Sequence, residues 1–469
     1  MRHKLLAALF CTGLVAATSL LTGTAATAAG TTSSAAGASA EVTDVRERLD
    51  RIPGLTVVSQ TTKEGFPYYT LTLTQPIDHR HPARGTFEQR FTLWHKSETA
   101  PMVLYTGGYS LATSTREITT LLGANQVSIE HRYFSRSRPA TVDWSDLNVR
   151  QEASDEHAVV QALKTIYGAK WLGTGASKGG MTQVYHERFF PEDLDAVVAY
   201  VAPNDANNND DSGYEKFFRT VGTPECRAAL NAVQREMLVR REQMLPRFEA
   251  TAKEQGLTFQ YLGSADRAYE FSVLDQVWNF WQSGTYTDCP TIPDAKTATD
   301  DELYTWSLGH GLSPYADQGN GAEGSGPYYR QAAAQLGWAD LKFKHLADVR
   351  HYPDIYRPNS VLPADMRVGY DGSTIKGVDR WVATRGERMM FVYGQNDPWS
   401  AERFKPSKHD SMLFEAPNSN HGALISKLQP ADRAKAEAVV KRWGGPWRPP
   451  PHYRPGRPVC PLLCPKGNG

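Results

Sequence analysis

Gly175-Ala176-Ser177-Lys178-Gly179 fits the pattern G-x-S-x-G. In that pattern a serine sits on a tight turn between a strand and a helix. Small neighbours let the chain double back, the hydroxyl is pushed out of the sheet, and the next backbone N–H aims at the same point. A serine hydroxyl is a weak nucleophile, so it needs a base, and the base needs an acid to orient it. On such a scaffold these partners follow in the order Ser, Asp, His. Two places match. Asp397 lies in Val392-Tyr393-Gly394-Gln395-Asn396-Asp397-Pro398-Trp399, just after a strand pattern. His421 lies in Asn418-Ser419-Asn420-His421-Gly422-Ala423, a small-residue loop after the last strand. His409 is the rival base, but it precedes that strand. The chemistry of such a set is acyl transfer through an acyl-enzyme. Its oxyanion hole takes the backbone N–H of Lys178 and one from Gly107-Gly108-Tyr109, where the donor is Gly108 or Tyr109. The Lys178 side chain reads as solvated and without a catalytic role.

These residues need a sheet beneath them. Tyr68 to Leu73 alternates apolar and polar residues as a half-buried strand does, and with Phe87 to Trp94 it forms a hairpin. Met102 to Tyr105, Gln126 to Glu130, Asp195 to Val201, Arg388 to Tyr393 and Ser411 to Ala416 are short strand runs. Helical patterns lie between them at Gln151 to Tyr167 and after Ser177, and Pro430 to Trp443 is the final helix, with Pro at its start and Gly444 at its end. Alternating short apolar strands and helices predict a mostly parallel sheet covered on both faces, and the G-x-S-x-G turn with its Ser, Asp, His order makes the expected fold that of an α/β-hydrolase. A different texture separates the two halves. After the polar run Asn204 to Asp211 come helical patterns such as Leu230, Val233, Met237 and Leu274, Val277, Trp278, Trp281. This region reads as an inserted, mostly helical cap.

The expected organisation is a signal peptide at 1–28, a linker or short pro-segment at 29–44, core at 45–203, cap at 204–384, core again at 385–445, and a Pro-rich tail at 446–469. Arg2, His3 and Lys4 precede an apolar stretch and the A-x-A pattern Ala26-Thr27-Ala28, which reads as export with cleavage to a secreted, extracellular protein. No later segment is apolar enough to span a membrane. Cys11 lies in the leader, and Cys226, Cys289, Cys460 and Cys464 remain. Of the three possible pairings, Cys226–Cys289 and Cys460–Cys464 each join residues of one region, as disulfides of an exported protein. Their spacing offers no zinc site. With 51 Lys+Arg against 51 Asp+Glu, the charge makes no case for a nucleic-acid partner.

Gly173 to Thr182 resembles the nucleophile segment of secreted bacterial tripeptidyl aminopeptidases, including the prolyl tri/tetrapeptidyl type. Gln75-Pro76-Ile77-Asp78-His79, Glu130-His131-Arg132-Tyr133-Phe134 and Asp397-Pro398-Trp399 are similar to segments of the related prolyl carboxypeptidase and dipeptidyl peptidase II group. The resemblance implies a serine exopeptidase with peptide substrates and no metal or organic cofactor. Such an enzyme binds a free N-terminus and releases tripeptides or tetrapeptides, preferring Pro before the cut. It carries the triad onto Ser177, Asp397 and His421. It also implies an acid for the substrate ammonium, with Glu130, Asp205, Asp210 and Asp211 as candidates. The same triad serves a secreted esterase or lipase, and a catalytically dead binding module is the reading from another class.

Overall fold

Alternation at Tyr68–Leu73 builds the hairpin expected of it, because one face of these strands meets the core and the other meets water. The computed structural model describes residues 45–445. The leader, the linker, the Pro-rich tail and the pair Cys460 and Cys464 lie outside the described residues. Among the described residues nine strands form one sheet: β1 (Leu55–Lys63), β2 (Phe66–Pro76), β3 (Thr86–Trp94), β4 (Met102–Thr106), β5 (Asn125–Ile129), β6 (Trp171–Ala176), β7 (Ala196–Tyr200), β8 (Met389–Gly394) and β9 (Met412–Ala416). Their order is β1-β2-β3-β5-β4-β6-β7-β8-β9. β1, β2, β3 and β5 pair antiparallel, with Tyr68 opposite Trp94, and β5 through β9 run parallel. This is the α/β-hydrolase arrangement, in which the carboxyl ends of β6, β8 and β9 open at one rim. The edge strand β1 has no counterpart in the sequence reading.

Both faces of the parallel strands are buried, and residues divide between them with the period of two that a strand imposes. Met389, Phe391 and Tyr393 face one core with Val159, Val160 and Leu163 of the helix Val149–Lys164 and Met181, Val184 and Tyr185 of the helix Lys178–Phe189. Met390 and Val392 face the other, with Ile118, Leu122 and the helix Pro430–Gly444. Each such aliphatic side chain contributes about 1.5–3 kcal/mol on burial.

The helix that carries the serine is clamped by charge as well. His186 is fully buried, and its Nδ1 and Nε2 lie 2.9 Å from Glu156 and 2.8 Å from Asp193. Both ring nitrogens therefore donate, which makes the ring an imidazolium. Burial pulls its pKa down, but the hydrogen bonds to Asp193 and Glu156 outweigh burial and raise it to about 9. A raised pKa contributes stability that is full below the unfolded value of about 6.5 and lost as pH rises through about 9. The expected loss is on the order of 3 kcal/mol. Glu187, raised by burial to about 8, adds a loss of the same sign at lower pH. Thermal melting followed from pH 6 to 10 tests this: His186→Asn should melt lower at neutral pH and lack the upper limb.

The cap has its own core, in which Val233 and Met237 of the helix Pro224–Val239 meet Leu274 and Trp278 of the helix Ala265–Ser283. Thr223 caps the first of these through Cys226 N at 3.2 Å, and Pro224 opens it. Cys226 and Cys289 form the expected disulfide across 63 residues, a loop whose closure is worth about 4 kcal/mol in the chain-entropy account. One boundary moves. The helix Ser373–Arg385, placed with the cap by the sequence boundary at Thr384, buries Ile375, Val378 and Val382 in the sheet's core and packs on the serine's helix. Its apolar stripe thus covers the sheet, where the cap's Leu336 joins the same cluster.

Candidate active site

Ser177 joins β6 to the helix Lys178–Phe189 with φ 56 and ψ −130, a positive φ that few non-glycine residues adopt. Its N–H is held by Tyr200 O at 2.9 Å. The flanking glycines are required by space: a Cβ on Gly175 would lie 2.3 Å from the Gly179 backbone, and one on Gly179 would lie 2.2 Å from Thr106 O. The turn therefore closes only on bare backbone, and β4 abuts it directly.

Asp397 follows β8 and is 0% exposed. Both of its oxygens lie 3.0 Å from His421 Nδ1, so that nitrogen donates. Ser400 Oγ, at 2.6 Å, and Trp399 N, at 3.2 Å, also donate to the carboxylate. The His421 loop is tied to the cap, since His421 N donates to Gln282 O at 3.2 Å and Asn420 Nδ2 to Ser283 O at 2.8 Å. Asp397 and His421 are thus brought together. No hydrogen bond joins Ser177 to His421 among the described residues. His409 lies before β9, its backbone bonded to Arg388, away from this rim.

The loop after β4 lies on the elbow: a Cβ on Gly108 would meet Lys178 Cγ at 2.8 Å and Gly179 N at 2.9 Å. Gly108 N already donates to Thr106 Oγ1 at 3.0 Å. Of the two expected donors in this loop, Gly108 is thus engaged within it, and Tyr109 is the other.

The Lys178 side chain departs from its expectation. It is 2% exposed rather than solvated, with Nζ 2.8 Å from His131 Nε2 and 4.0 Å from Glu152. The Tyr109 and Phe134 rings each lie 5.7 Å from it. Burial pushes its pKa down to about 8, against the pull of Glu152 and Glu156. The lysine stem therefore props the glycine loop from beneath. The segment Glu130 to Phe134 supplies this floor. Glu130 accepts from Arg90 at 2.6 Å and from Ser137 Oγ at 2.9 Å, while Arg132 holds Asp155 at 2.6 and 2.7 Å. His79 reaches the same Asp155 at 2.7 Å. Glu130 is thereby a structural acid. Asp210 is spent on a turn to Ser212 N at 3.1 Å, and Asp211 on Asp340 N at 2.9 Å.

Ser177 opens into a small cleft between sheet and cap, lined on the cap side by Tyr214, Tyr328 and Trp338 and also by Trp399 and Asp205. Among the described residues no helix is long and apolar enough to cross a membrane, and no cluster of ligand side chains is set to hold a metal ion.

The profile of the PS-10 peptidase S37 family matches residues 38–451. A prolyl tri/tetrapeptidyl aminopeptidase of Streptomyces mobaraensis is 48% identical over 410 residues, covering 86% of this chain and 85% of that protein. The serine protease vicPb of Bipolaris victoriae is 28% identical over 187 residues, 34% of each chain. Among solved structures, a proline iminopeptidase of Mycobacterium smegmatis aligns with TM-score 0.39 and 14% identity over 80% of this chain and 98% of that one, too loosely to argue from. On the length of the family match and the identity to the Streptomyces protein, the chain belongs to the PS-10 peptidase S37 family and is a serine peptidase.

Proposed function

We propose that this peptidase is exported and releases tripeptides or tetrapeptides from free peptide N-termini, cutting after Pro, with Ser177 as nucleophile. The observation that carries the reading is the hydrogen-bonded pair Asp397–His421 at the rim where Ser177 stands on its strained turn. In the proposed reaction Ser177 Oγ attacks the scissile carbonyl and His421 Nε2 takes its proton. Asp397 holds Nδ1–H and stabilises the imidazolium. The N–H groups of Lys178 and Tyr109 receive the oxyanion. The amine leaves with the proton from His421, and water, activated by the same imidazole, releases the peptide from the acyl-enzyme. The relative from Streptomyces mobaraensis supports the substrate class. Tyr214, Tyr328, Trp338 and Trp399 beside Ser177 offer flat apolar surface for a proline ring. Export is supported by the leader pattern and by the Cys226–Cys289 bond.

The test compares a tripeptide p-nitroanilide ending in Pro with its N-acetylated twin. Cleavage of the free peptide about 10²-fold faster, in kcat/KM, is expected, because a site built for a charged group rejects an analogue that lacks it. Equal cleavage of both would leave an endopeptidase. Hydrolysis of a p-nitrophenyl ester with neither amide cut would leave an esterase.

A further inference from the structure

The cavity that holds Ser177 contains a carboxylate with nothing to neutralise it. Asp205 lines it, is 4% exposed, and its Oδ2 has no hydrogen-bond partner. That oxygen sits against Gly337, also in the cavity wall, where a Cβ would stand 2.4 Å from it. Glu402 stands behind, half-buried. It is close enough to Gly213 that a Cβ there would lie 3.0 Å from Glu402 Oε1, and Asn204 N donates to the Glu402 carbonyl at 3.1 Å. The charges acting on the two acids are other carboxylates. Burial, then Asp211, raises Asp205 to about 7 against a backbone hydrogen bond from Trp338; burial, then Asp205, Asp211 and Asp210, raises Glu402 to about 8. Arg403, the neighbour of Glu402, is turned to Glu415 at 2.6 Å. A buried acid left unsatisfied is costly unless a partner supplies the missing charge. Here the partner must come from the cavity, and Tyr214, Tyr328 and Trp338 around it favour an organic cation over a hydrated ion.

We infer that Asp205, backed by Glu402, receives the N-terminal ammonium of the peptide whose carbonyl lies at Ser177. The inference rests on the exopeptidase reading above and gives it a physical origin. An ammonium fixed at Asp205 sets how many residues fit between the N-terminus and the nucleophile. Gly337 leaves the carboxylate room to accept it.

The test measures kcat/KM for the same free and N-acetylated tripeptide nitroanilides in wild type, Asp205→Asn and Glu402→Gln. Fluorophosphonate labelling of Ser177 serves as the check on folding. The expected result is that Asp205→Asn still labels, and that its rate on the free peptide falls far more than its rate on the acetylated one. Its preference for the free peptide should fall about 10²-fold, mostly through KM. Glu402→Gln should lose about 5-fold by removing a more distant charge. An Asp205→Asn enzyme that labels normally and keeps the full preference overturns the assignment and leaves the exopeptidase reading standing. A wild type with no preference overturns that reading, and the assignment with it. If Asp205→Asn does not label, Glu402→Gln decides, and an unchanged preference there overturns the assignment.

Discussion

Ser177→Ala is expected to lower kcat for peptide hydrolysis by roughly 10⁴- to 10⁶-fold, with KM within a few-fold of wild type. The substitution removes Oγ and nothing that the fold uses. Ser177 holds its place through its own N–H to Tyr200 O and its carbonyl to Met181 N, and alanine keeps both. The positive φ costs alanine about what it costs serine, so melting should shift by less than about 0.5 kcal/mol. What survives is the rate due to binding and to the Lys178 and Tyr109 N–H groups. Single-turnover assays with active-site titration measure the loss, and fluorophosphonate labelling should vanish with it. A loss of only about 10-fold would place the nucleophile elsewhere.

The reason the turn at Ser177 can be read from sequence is steric. A tight strand-to-helix turn leaves no room at 175 and 179, so the glycines themselves record the geometry. The pairing of Asp397 with His421 is legible because chain order and strand ends suffice to bring the two together. Other features leave no local trace. β1 is mostly exposed along its length, and an edge strand facing water on both sides shows no apolar alternation. Lys178 looks like any surface lysine. Its burial depends on His131 and Glu152, brought in from the loop after β5 and the next helix. The helix Ser373–Arg385 has a clear apolar stripe, but a stripe does not say which surface it will cover. Asp205 sits in a run of Asn and Asp whose composition marks a turn. Only the approach of Gly337 and the cap singles it out from Asp210 and Asp211.

Asp397→Asn tests the orienting role where the geometry around it stays put. His421 is held by its backbone N–H to Gln282 O at 3.2 Å, and its loop by Asn420 to Ser283 at 2.8 Å, so the ring should not drift when the charge goes. Ser400 Oγ and Trp399 N donate to different oxygens of Asp397, at 2.6 and 3.2 Å, so an asparagine oxygen keeps the shorter bond, from Ser400, and its NH₂ takes the other position, which is also 3.0 Å from His421 Nδ1. That places the amide NH₂ toward His421 Nδ1, which must then accept. The proton moves to Nε2, and the nitrogen that should take the serine proton no longer can. The imidazolium formed during attack also loses its counter-charge. The expected loss in kcat is about 10⁴-fold with KM nearly unchanged, and fluorophosphonate labelling should slow in parallel, since it uses the same base. A loss below about 10-fold would mean that the cap, through Gln282 and Ser283, orients His421 by itself, and that Asp397 serves the loop more than the reaction.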